Sequence, residues 1–558
     1  MILFIFVKTR ILVTMKTRLL IRTAIIVSVV LLCTGFGMYS LFKLSAKDYN
    51  REVNLYKLVP HDAIAVLETD RMDKLIDGVS KLQSSKDNHF LYVSDIFVFL
   101  KRNLHTLLDA TPHGLSRQMN KMLLSFHEPD NPSNQVLYCS LGDGDEAMVE
   151  AFIKKYCSAV FPLKIFDYKG EEIKIYTMAD GRFLAIYMTS DFLVASLQKH
   201  LIEEVIDAHR SKISLADSPS FSRIHFKQSS NVEARVYVRM KAVEMGKQPA
   251  DILHRARLGS WGEFDLKFND NSIYCSGVTR DSDSTETFVG VLAKQQAVEG
   301  FGGEQLPTST VFFDCWSASN MKALLGYTSK QVRTQYGASG IMVCNSGMMD
   351  FLKTHTGDRI SSLLFYSKDT LDRNLCSITN IPLKCEVQAR KDFQSLIDTL
   401  PVRKVLQSES DIPVRKFRYT ASGYPCYILP CTSLLAHLGG FAQTKAYVYL
   451  SFYKGHLLLA PDEKSLLSYI DALEHGENLK TFSDVYNEVI GSLSLEYNFV
   501  MMGDMETLLV QPDVYASLIP NFFFRQYDFF RHFIFAVQFV YADGVVYPNI
   551  VLRYKNKA

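Results

Sequence analysis

The residues of this chain that could do acid–base or metal chemistry are few and widely spaced. His61 and Asp62 are adjacent, and His200 and His209 lie nine positions apart in a helical pattern. Two side chains at that spacing on one helix point in different directions, so they cannot bind the same metal ion. We therefore interpret these histidines as surface or capping residues and assign no catalytic, cofactor-binding or metal-binding residue.

The acidic run Asp143-Gly144-Asp145-Glu146 resembles half of a calcium-binding loop, but the remaining acidic ligands are missing. The favoured alternative is a helix cap, because carboxylates at a helix N-terminus accept hydrogen bonds from free N–H groups. We predict no bound cofactor.

Thiol chemistry and the common enzyme signatures are not indicated either. Nine cysteines lie outside the segment 23–42, with no C-x-x-C pair and no spacing typical of a disulfide framework or a zinc site. Cys426 and Cys431 are interpreted as packed core residues. The G-x-S-x-G, H-E-x-x-H and phosphate-binding-loop signatures do not occur. The sequence therefore favours a protein that is not an enzyme.

An aromatic segment at residues 522–541 is the best candidate for a binding surface. It holds ten aromatic residues in 20 positions, and the corresponding stretch earlier in the chain, residues 249–268, holds three. Either this part of the chain has a larger core, or part of it is exposed and binds a partner or lipid. The candidate surface residues are Phe522, Phe523, Phe524, Arg525, Phe529, Phe530 and Arg531.

The elements that would position these residues begin with residues 23–42, which carry no charged side chain. A helix of that length spans about 30 Å, the hydrocarbon thickness of a bilayer. Basic residues predominate before it, which predicts a cytoplasmic N-terminus and an exported C-terminal region. A retained signal-anchor is favoured over a cleaved signal peptide or a lipoprotein. Translation starting at Met15 is an alternative to Met1.

Composition excludes some function classes. The net charge is +2, from 61 basic and 59 acidic residues, so the basic stripe of a nucleic-acid-binding protein is not indicated. The hydrophobic content of 47% is that of a folded globular protein.

The chain after the apolar run contains an internal repeat. Val59-Pro60 opens an apolar strand, and Leu306-Pro307 opens a similar one. Strand–turn–strand–helix patterns recur at residues 183–206 and 447–470, and hairpin signals recur at 268–274 and 541–547. This pattern predicts an α+β fold, with an N-terminal single transmembrane helix followed by two duplicated domains of mainly antiparallel sheets and interspersed helices. The predicted segments are a cytoplasmic N-terminus (1–22), a transmembrane signal-anchor (23–44), a spacer (45–58), copy 1 (59–299), a linker (300–305) and copy 2 (306–558).

The opening of copy 1 has the pattern V-P-x-x-A-x-x-V-L-E, carried by Val59, Pro60, Ala63, Val66, Leu67 and Glu68. With the helix region around Phe221, it resembles a bacterial membrane-anchored envelope family known only as a domain of unknown function. The resemblance implies location and fold, and it implies no activity.

Together these patterns predict a single-pass, membrane-anchored cell-envelope protein, with the N-terminus cytoplasmic and the duplicated domains exported or periplasmic. Its predicted role is non-enzymatic binding or scaffolding. The partner would be a protein, a lipid or a glycan, and not nucleic acid. The alternative is an envelope hydrolase with a site assembled between the two copies.

Overall fold

The computed structural model describes part of the chain. The described residues are 53–87, 121–128, 133–141, 161–178, 181–222, 232–239, 261–279, 295–299, 303–336, 343–368, 374–399, 415–418, 423–429, 431, 434–438, 447–510, 519 and 521–555. The apolar run 23–42, the acidic residues 143–146 and a helix predicted near 145–157 lie outside them. Within these ranges, no helix has both the length and the apolar composition needed to cross a bilayer.

The chain divides into two compact units. Unit 1 consists of Met1–Ala242 and Ser260–Cys275, and unit 2 of Val243–Gly259 and Ser276–Ala558. The boundaries predicted at 59–299 and 306–558 stay predictions.

Unit 1 is built mainly from antiparallel strands. In its described residues these are β1 (Ala65–Thr69), β2 (Met122–Phe126), β3 (Gln135–Ser140), β4 (Lys164–Tyr168), β5 (Glu171–Thr177), β6 (Phe183–Met188), β7 (Phe192–Ser196), β8 (Ala234–Arg239), β9 (Trp261–Asn269) and β10 (Ser272–Thr279), of which the residues up to Cys275 belong to unit 1. Side by side, the order is β4-β5-β6-β7-β3-β2-β1-β8-β9-β10, so β1 pairs with β2 on one side and β8 on the other.

Four described helices accompany these strands: α1 (Met72–Lys81), α2 (Gln83–Lys86), α3 (Lys199–Ser211) and α4 (Pro219–Ser222), with 3₁₀ turns at Leu55–Lys57 and Leu215–Asp217. Helix α3 is amphipathic. Its residues Leu201, Ile202, Val205 and Ile206 are buried in one cluster with sheet residues such as Val194. This spacing puts the apolar residues on one helix face, which packs on the sheet.

The strands of unit 2 are also antiparallel: β11 (Val298–Glu299), β12 (Thr310–Ser317), β13 (Arg359–Tyr366), β14 (Leu375–Pro382), β15 (Arg415–Arg418), β16 (Pro425–Leu429), β17 (Val448–Tyr453), β18 (His456–Ala460), β19 (Glu496–Tyr497), β20 (Phe499–Asp504), β21 (Phe533–Ala542) and β22 (Val545–Tyr554). Their order is β15-β16-β17-β18-β14-β13-β12-β20-β21-β22, while β11 and β19 form a separate pair.

Helices cover both faces of the unit 2 sheet. They are α5 (Met321–Tyr336), α6 (Val343–His355), α7 (Glu386–Thr399), α8 (Leu434–His437), α9 (Glu463–Glu474), α10 (Leu479–Phe482), α11 (Asp484–Gly491), α12 (Met505–Val510), α13 (Asn521–Arg525) and α14 (Tyr527–Phe530), with a 3₁₀ turn at Gly303–Gln305. On β18, Leu457 and Leu459 belong to one core cluster, and Leu458 and Ala460 belong to another. Side chains of a strand alternate between faces, so an uninterrupted apolar run is buried on both.

The pairing order is the same in both units, and local contacts mark equivalent positions. Pro60 forms a β-bridge with Ser214, and Pro307 forms one with Asn478. Strand β1 therefore corresponds to β12. Glu68 is the eighth residue after Pro60 and Cys315 is the eighth after Pro307, so these two residues are equivalent.

The fold class predicted from the sequence is wrong. The described residues form mostly a large antiparallel sheet with helices packed on it, and they contain no membrane-spanning helix. Consecutive strands joined by hairpins pair side by side and build the sheet, and the helices pack against the faces of that sheet. One local prediction also fails: residues 385–389, expected to be a strand, lead into and begin α7, and the strand is β14.

The hairpin between β17 and β18 depends on backbone conformation at its two-residue turn. Lys454 and Gly455 both have positive φ, at 44° and 84°. Such a turn matches the twist of the strands that it joins, and glycine adopts positive φ without a steric cost. A Cβ built on Gly455 would meet nothing within 4 Å, so substitution there tests the backbone alone.

Gly455→Ala is expected to lower the free energy of unfolding of unit 2 by about 1–2 kcal/mol, the cost of a left-handed alanine. Gly326→Ala is the matched control, since Gly326 lies inside α5 and its Cβ would also meet nothing within 4 Å. That control should raise stability by up to about 1 kcal/mol. Urea denaturation followed by circular dichroism measures both. Equal effects of the two alanines would contradict the turn argument.

Candidate functional site

The face of the unit 1 sheet that packs against α3 is buried and would be expected to be apolar, but it carries polar residues. Ser125 on β2 pairs with Val66 of β1, and His127 follows β2 on the same side. Residues two apart in a strand share a face, so Ser125 and His127 point toward α3. This places an imidazole at the rim of the buried cluster.

Three ligand-type side chains meet at this rim. One ligand atom each from Asp62, His127 and Glu204 lies within 4.8 Å of the others. They come from separate elements: Asp62 from the turn before β1, His127 from the end of β2 and Glu204 from α3. Their sequence separations are too large for any local motif to include them.

His127 is held by a hydrogen bond on one side only. Its side chain is 4% exposed. Nε2 lies 2.8 Å from Ser125 Oγ, which lies 3.1 Å from the hydroxyl of Tyr138. Nδ1 is buried and makes no hydrogen bond, and Asp62 Oδ1 lies 3.8 Å from it. Burial lowers the pKa of His127, against the opposing effect of Asp62, so the ring is neutral at pH 7.

The turn that carries Asp62 is fixed by backbone contacts on both sides. Leu215 donates its N–H to the Val59 carbonyl oxygen at 2.8 Å, next to the Pro60–Ser214 bridge. The Arg239 guanidinium donates to the His61 carbonyl oxygen. The Asp62 side chain itself is 56% exposed, so the carboxylate lies where the site opens to solvent.

Glu204 reaches the site from the outer side of α3. Burial raises the pKa of Glu204, and the nearby negative charge of Asp62 raises it further. His200 and His61 act in the opposite direction. Two carboxylates thus face each other beside a neutral imidazole, an arrangement that a cation would stabilise.

The donor set is one imidazole nitrogen and two carboxylate oxygens, which suits zinc and similar divalent metals. The bond from Nε2 to Ser125 is the outer contact that usually orients a metal-binding histidine. An Asp–His–Ser order also resembles the triad of hydrolases. Ser125 is 0% exposed, however, and a nucleophile has to reach its substrate. The geometry therefore favours metal binding over nucleophilic catalysis.

Unit 2 lacks this set at the equivalent positions. Ala65 and Phe312 are equivalent, and they pair with Phe126 and Leu364 respectively. The residue after Phe126 is His127 and the residue after Leu364 is Phe365, so Phe365 corresponds to His127. Asp62 and Ser309 are each the second residue after the equivalent prolines, so Ser309 corresponds to Asp62. Strand β7 corresponds to β18, and the helices that follow these strands place Ser468 at the position of Glu204. The same strand order therefore forms without these ligands.

A second polar cluster in unit 1 lies at the other end of the same sheet face. Arg235 on β8 is buried, and its Nε lies 2.9 Å from both Glu263 Oε1 and Asp265 Oδ1. Glu68 pairs with Arg235 across the strands and is 5% exposed. Burial raises the pKa of Glu68, and it raises that of Glu263 to about 7.

Unit 2 has mostly apolar residues at these positions. Val500 corresponds to Arg235, and it pairs with Cys315 and Gln538; Ala536 corresponds to Glu263. The charged cluster is thus not required by the fold. It contains the three carboxyl groups of Glu68, Glu263 and Asp265 and the single guanidinium of Arg235.

The residues that the sequence analysis named as candidates differ in their burial and in their distance from the Asp62–His127–Glu204 cluster. Asp62 belongs to the cluster, and His200 lies near it. Phe529 and Phe530 are buried at 5% and 2%, with ring centroids 5.0 Å apart. Phe522, Phe523 and Phe524 are half-buried, Arg525 is exposed, and Arg531 lies over the Tyr527 ring at 5.4 Å. The surface role of this segment stays a prediction.

The prediction that Cys426 and Cys431 are packed core residues is confirmed, since both are 0% exposed and each belongs to a buried cluster. Cys426 is a free thiol, whereas Cys431 is disulfide-bonded. The spacing of cysteines alone does not reveal which of them are disulfide-bonded.

Sequence reasoning missed His127 and Glu204 and assigned no metal ligand. His127 sits at the end of an apolar strand and Glu204 on a helix, each without a second ligand at a local spacing. One signal was available: Asp62 is an acidic residue in copy 1 where copy 2 has a serine.

Comparison with known families gives one match. Residues 123–304 match the family described as "Protein of unknown function (DUF3352)". The resemblance expected from the sequence is confirmed over these residues. The match includes His127 and Glu204 and begins after Asp62. Neither the curated proteins nor the solved structures contain a match to the chain. The membrane-anchored envelope character stays a prediction.

Glu263 gives unit 1 a pH-dependent stability. Its folded-state pKa of about 7 lies above the ordinary value of 4.5, so the folded protein binds the proton more tightly. The contribution of Glu263 to the free energy of unfolding is therefore largest below pH 4.5 and is lost as the pH rises to 7, by at most about 3 kcal/mol. Glu263→Gln should remove most of this slope in denaturation curves at pH 5, 6, 7 and 8.

Glu172→Gln is the control, because Glu172 is an exposed glutamate on β5 of the same unit. It should leave the pH dependence as it is in the unmodified protein. A slope that is the same in Glu263→Gln and the unmodified protein would contradict the assignment.

Proposed function

We propose that this chain is a non-enzymatic binding module whose unit 1 binds a divalent metal ion through Asp62, His127 and Glu204. The observation that carries the proposal is the Nδ1 atom of His127. It is buried and without a hydrogen bond, and it lies 3.8 Å from Asp62 Oδ1. One ring nitrogen of His127 and one carboxylate oxygen each of Asp62 and Glu204 lie within 4.8 Å of one another.

The energetics support a cation at this point. A buried polar atom without a partner costs about 1–3 kcal/mol, and such atoms are rare in folded proteins. The charge of Asp62 also raises the pKa of Glu204, which indicates repulsion between the two carboxylates. A single metal ion would accept the lone pair of the His127 imidazole and would also offset the repulsion between the two carboxylates.

The positions of the ligands support a binding site that exists before the metal arrives. Glu204 is carried by a helix whose apolar face is in the core, and His127 is held by Ser125. The turn at Asp62 is fixed by the bridge at Pro60. Ligands on rigid elements need little reorganisation, which favours tight binding.

An extracytoplasmic location remains our proposal for the compartment. It is supported by the disulfide at Cys431, because such bonds persist in oxidising compartments and are rare in the cytosol. A scaffolding role toward an envelope protein, lipid or glycan is part of the same proposal. The hydrolase alternative receives no support from Ser125, which is fully buried.

The test is calorimetric titration of chelator-treated full-length protein with Zn²⁺, Mn²⁺, Mg²⁺ and Ca²⁺. We expect one site for Zn²⁺ or Mn²⁺ and its loss in His127→Ala, because that change removes the buried ligand. Asp62→Asn and Glu204→Gln should weaken binding. At a free metal concentration of 100 times Kd, linkage should stabilise the folded protein by about 2.7 kcal/mol.

The matched controls are Ser309→Ala and Ser468→Ala, the equivalent positions in unit 2, which should leave binding unchanged. Absence of binding in the unmodified protein, or the same Kd for His127→Ala, would refute the proposed function. Circular dichroism of His127→Ala separates loss of the site from loss of the fold.

A further inference from the structure

The three ligands of the proposed site leave its outer side open. His127 forms the buried floor, while Asp62 is more than half exposed and Glu204 is half-buried on α3. Zinc in a closed structural site takes four protein ligands, and three ligands leave one position for another group.

His200 is placed to be that ligand. It lies four residues before Glu204 on α3, and residues four apart on a helix share a face with Cβ atoms about 5–6 Å apart. The core-facing residues Leu201 and Ile202 follow it directly, so His200 is on the outer side. Its side chain is exposed and free to change rotamer at little cost.

The electrostatics of the neighbourhood agree with this placement. The charge of His200 lowers the pKa of His127 and that of Glu204. The ligand atoms of Asp62, His127 and Glu204 already lie within 4.8 Å of one another. His200 would join them through a change of rotamer.

His61 is the competing candidate, because it also lowers the pKa of Glu204. Its backbone carbonyl accepts a hydrogen bond from Arg239, and it directly precedes Asp62 in the turn. His200, in contrast, shares a helix face with a ligand already in the cluster. The helix spacing therefore favours His200.

Unit 2 again has no equivalent. The residue that corresponds to His200 is Lys464, one turn before Ser468 on α9. A lysine and a serine do not replace an imidazole and a carboxylate as metal ligands. At the equivalent described positions, unit 2 therefore has no counterpart of the His200–Glu204 pair.

We propose that His200 is the fourth ligand of the site and makes it selective for zinc-class metals over Mg²⁺ and Ca²⁺. This inference rests on the proposed function. Two imidazole nitrogens and two carboxylate oxygens form a set that suits zinc and cobalt, whereas Mg²⁺ and Ca²⁺ are bound by oxygen ligands alone.

The experiment uses the full-length protein with Zn²⁺ for affinity and Co²⁺ as a spectroscopic probe. We expect the unmodified protein to give the intense visible absorption of four-coordinate Co²⁺. His200→Ala should weaken Zn²⁺ binding by about tenfold or more. It should also reduce the Co²⁺ absorption, as water replaces the lost ligand and the coordination number rises. A tenfold excess of Mg²⁺ or Ca²⁺ should not displace Co²⁺.

The controls are His61→Ala and Lys464→Ala, which should leave the Zn²⁺ Kd and the Co²⁺ spectrum unchanged. If His200→Ala behaves like the unmodified protein while His127→Ala loses binding, the fourth-ligand inference fails and the proposed function stands. If His61→Ala has the effect expected of His200→Ala, the inference also fails. If the unmodified protein binds neither Zn²⁺ nor Co²⁺, both fail together.

Discussion

The register of strand β1 between β2 and β8 is the constraint on which the rest of unit 1 depends. It puts Val66 opposite Ser125 on one side and opposite Tyr237 on the other, and Glu68 opposite Arg235. Side chains alternate along a strand, so a slip of one residue would turn all of them to the other face. Helix α3 then closes this face with four apolar residues. The proposed metal site and the charged cluster are the two ends of a surface that this single register aligns.

The two units show what the fold itself requires. With the same strand order, unit 2 has Phe365, Val500 and Ala536 where unit 1 has His127, Arg235 and Glu263. Buried polar and charged groups usually reduce stability unless they are fully paired. At these positions unit 1 therefore retains polar and charged groups that the fold itself does not require. Residues that lower stability without being needed for the fold are those expected at functional positions.

Much of the local structure was predictable from the sequence, and the site was not. The strand–turn–strand–helix patterns at 183–206 and 447–470 are β6, β7 and α3 and β17, β18 and α9, because alternating and helical apolar periods are local signals. The predicted Asp-Gly turn at Asp543 and Gly544 has positive φ at both residues. Pairing between distant strands has no such signal. Asp62, His127 and Glu204 meet only because β1 pairs with β2 and α3 packs across them.

The unpaired state of His127 Nδ1 is what separates a metal site from an ordinary structural histidine. In a structural Asp–His pair, the Nδ1–H group would donate to the carboxylate at about 2.7–2.9 Å. The observed distance to Asp62 is 3.8 Å, beyond hydrogen-bond range. With the proton on Nε2, the ring donates to Ser125, whose hydroxyl can in turn donate to Tyr138. This tautomer leaves a lone pair on Nδ1, 3.8 Å from a carboxylate oxygen of Asp62 that cannot donate a proton while ionised. A cation bound in the cluster would satisfy the lone pair and offset the negative charges of Asp62 and Glu204 at the same position.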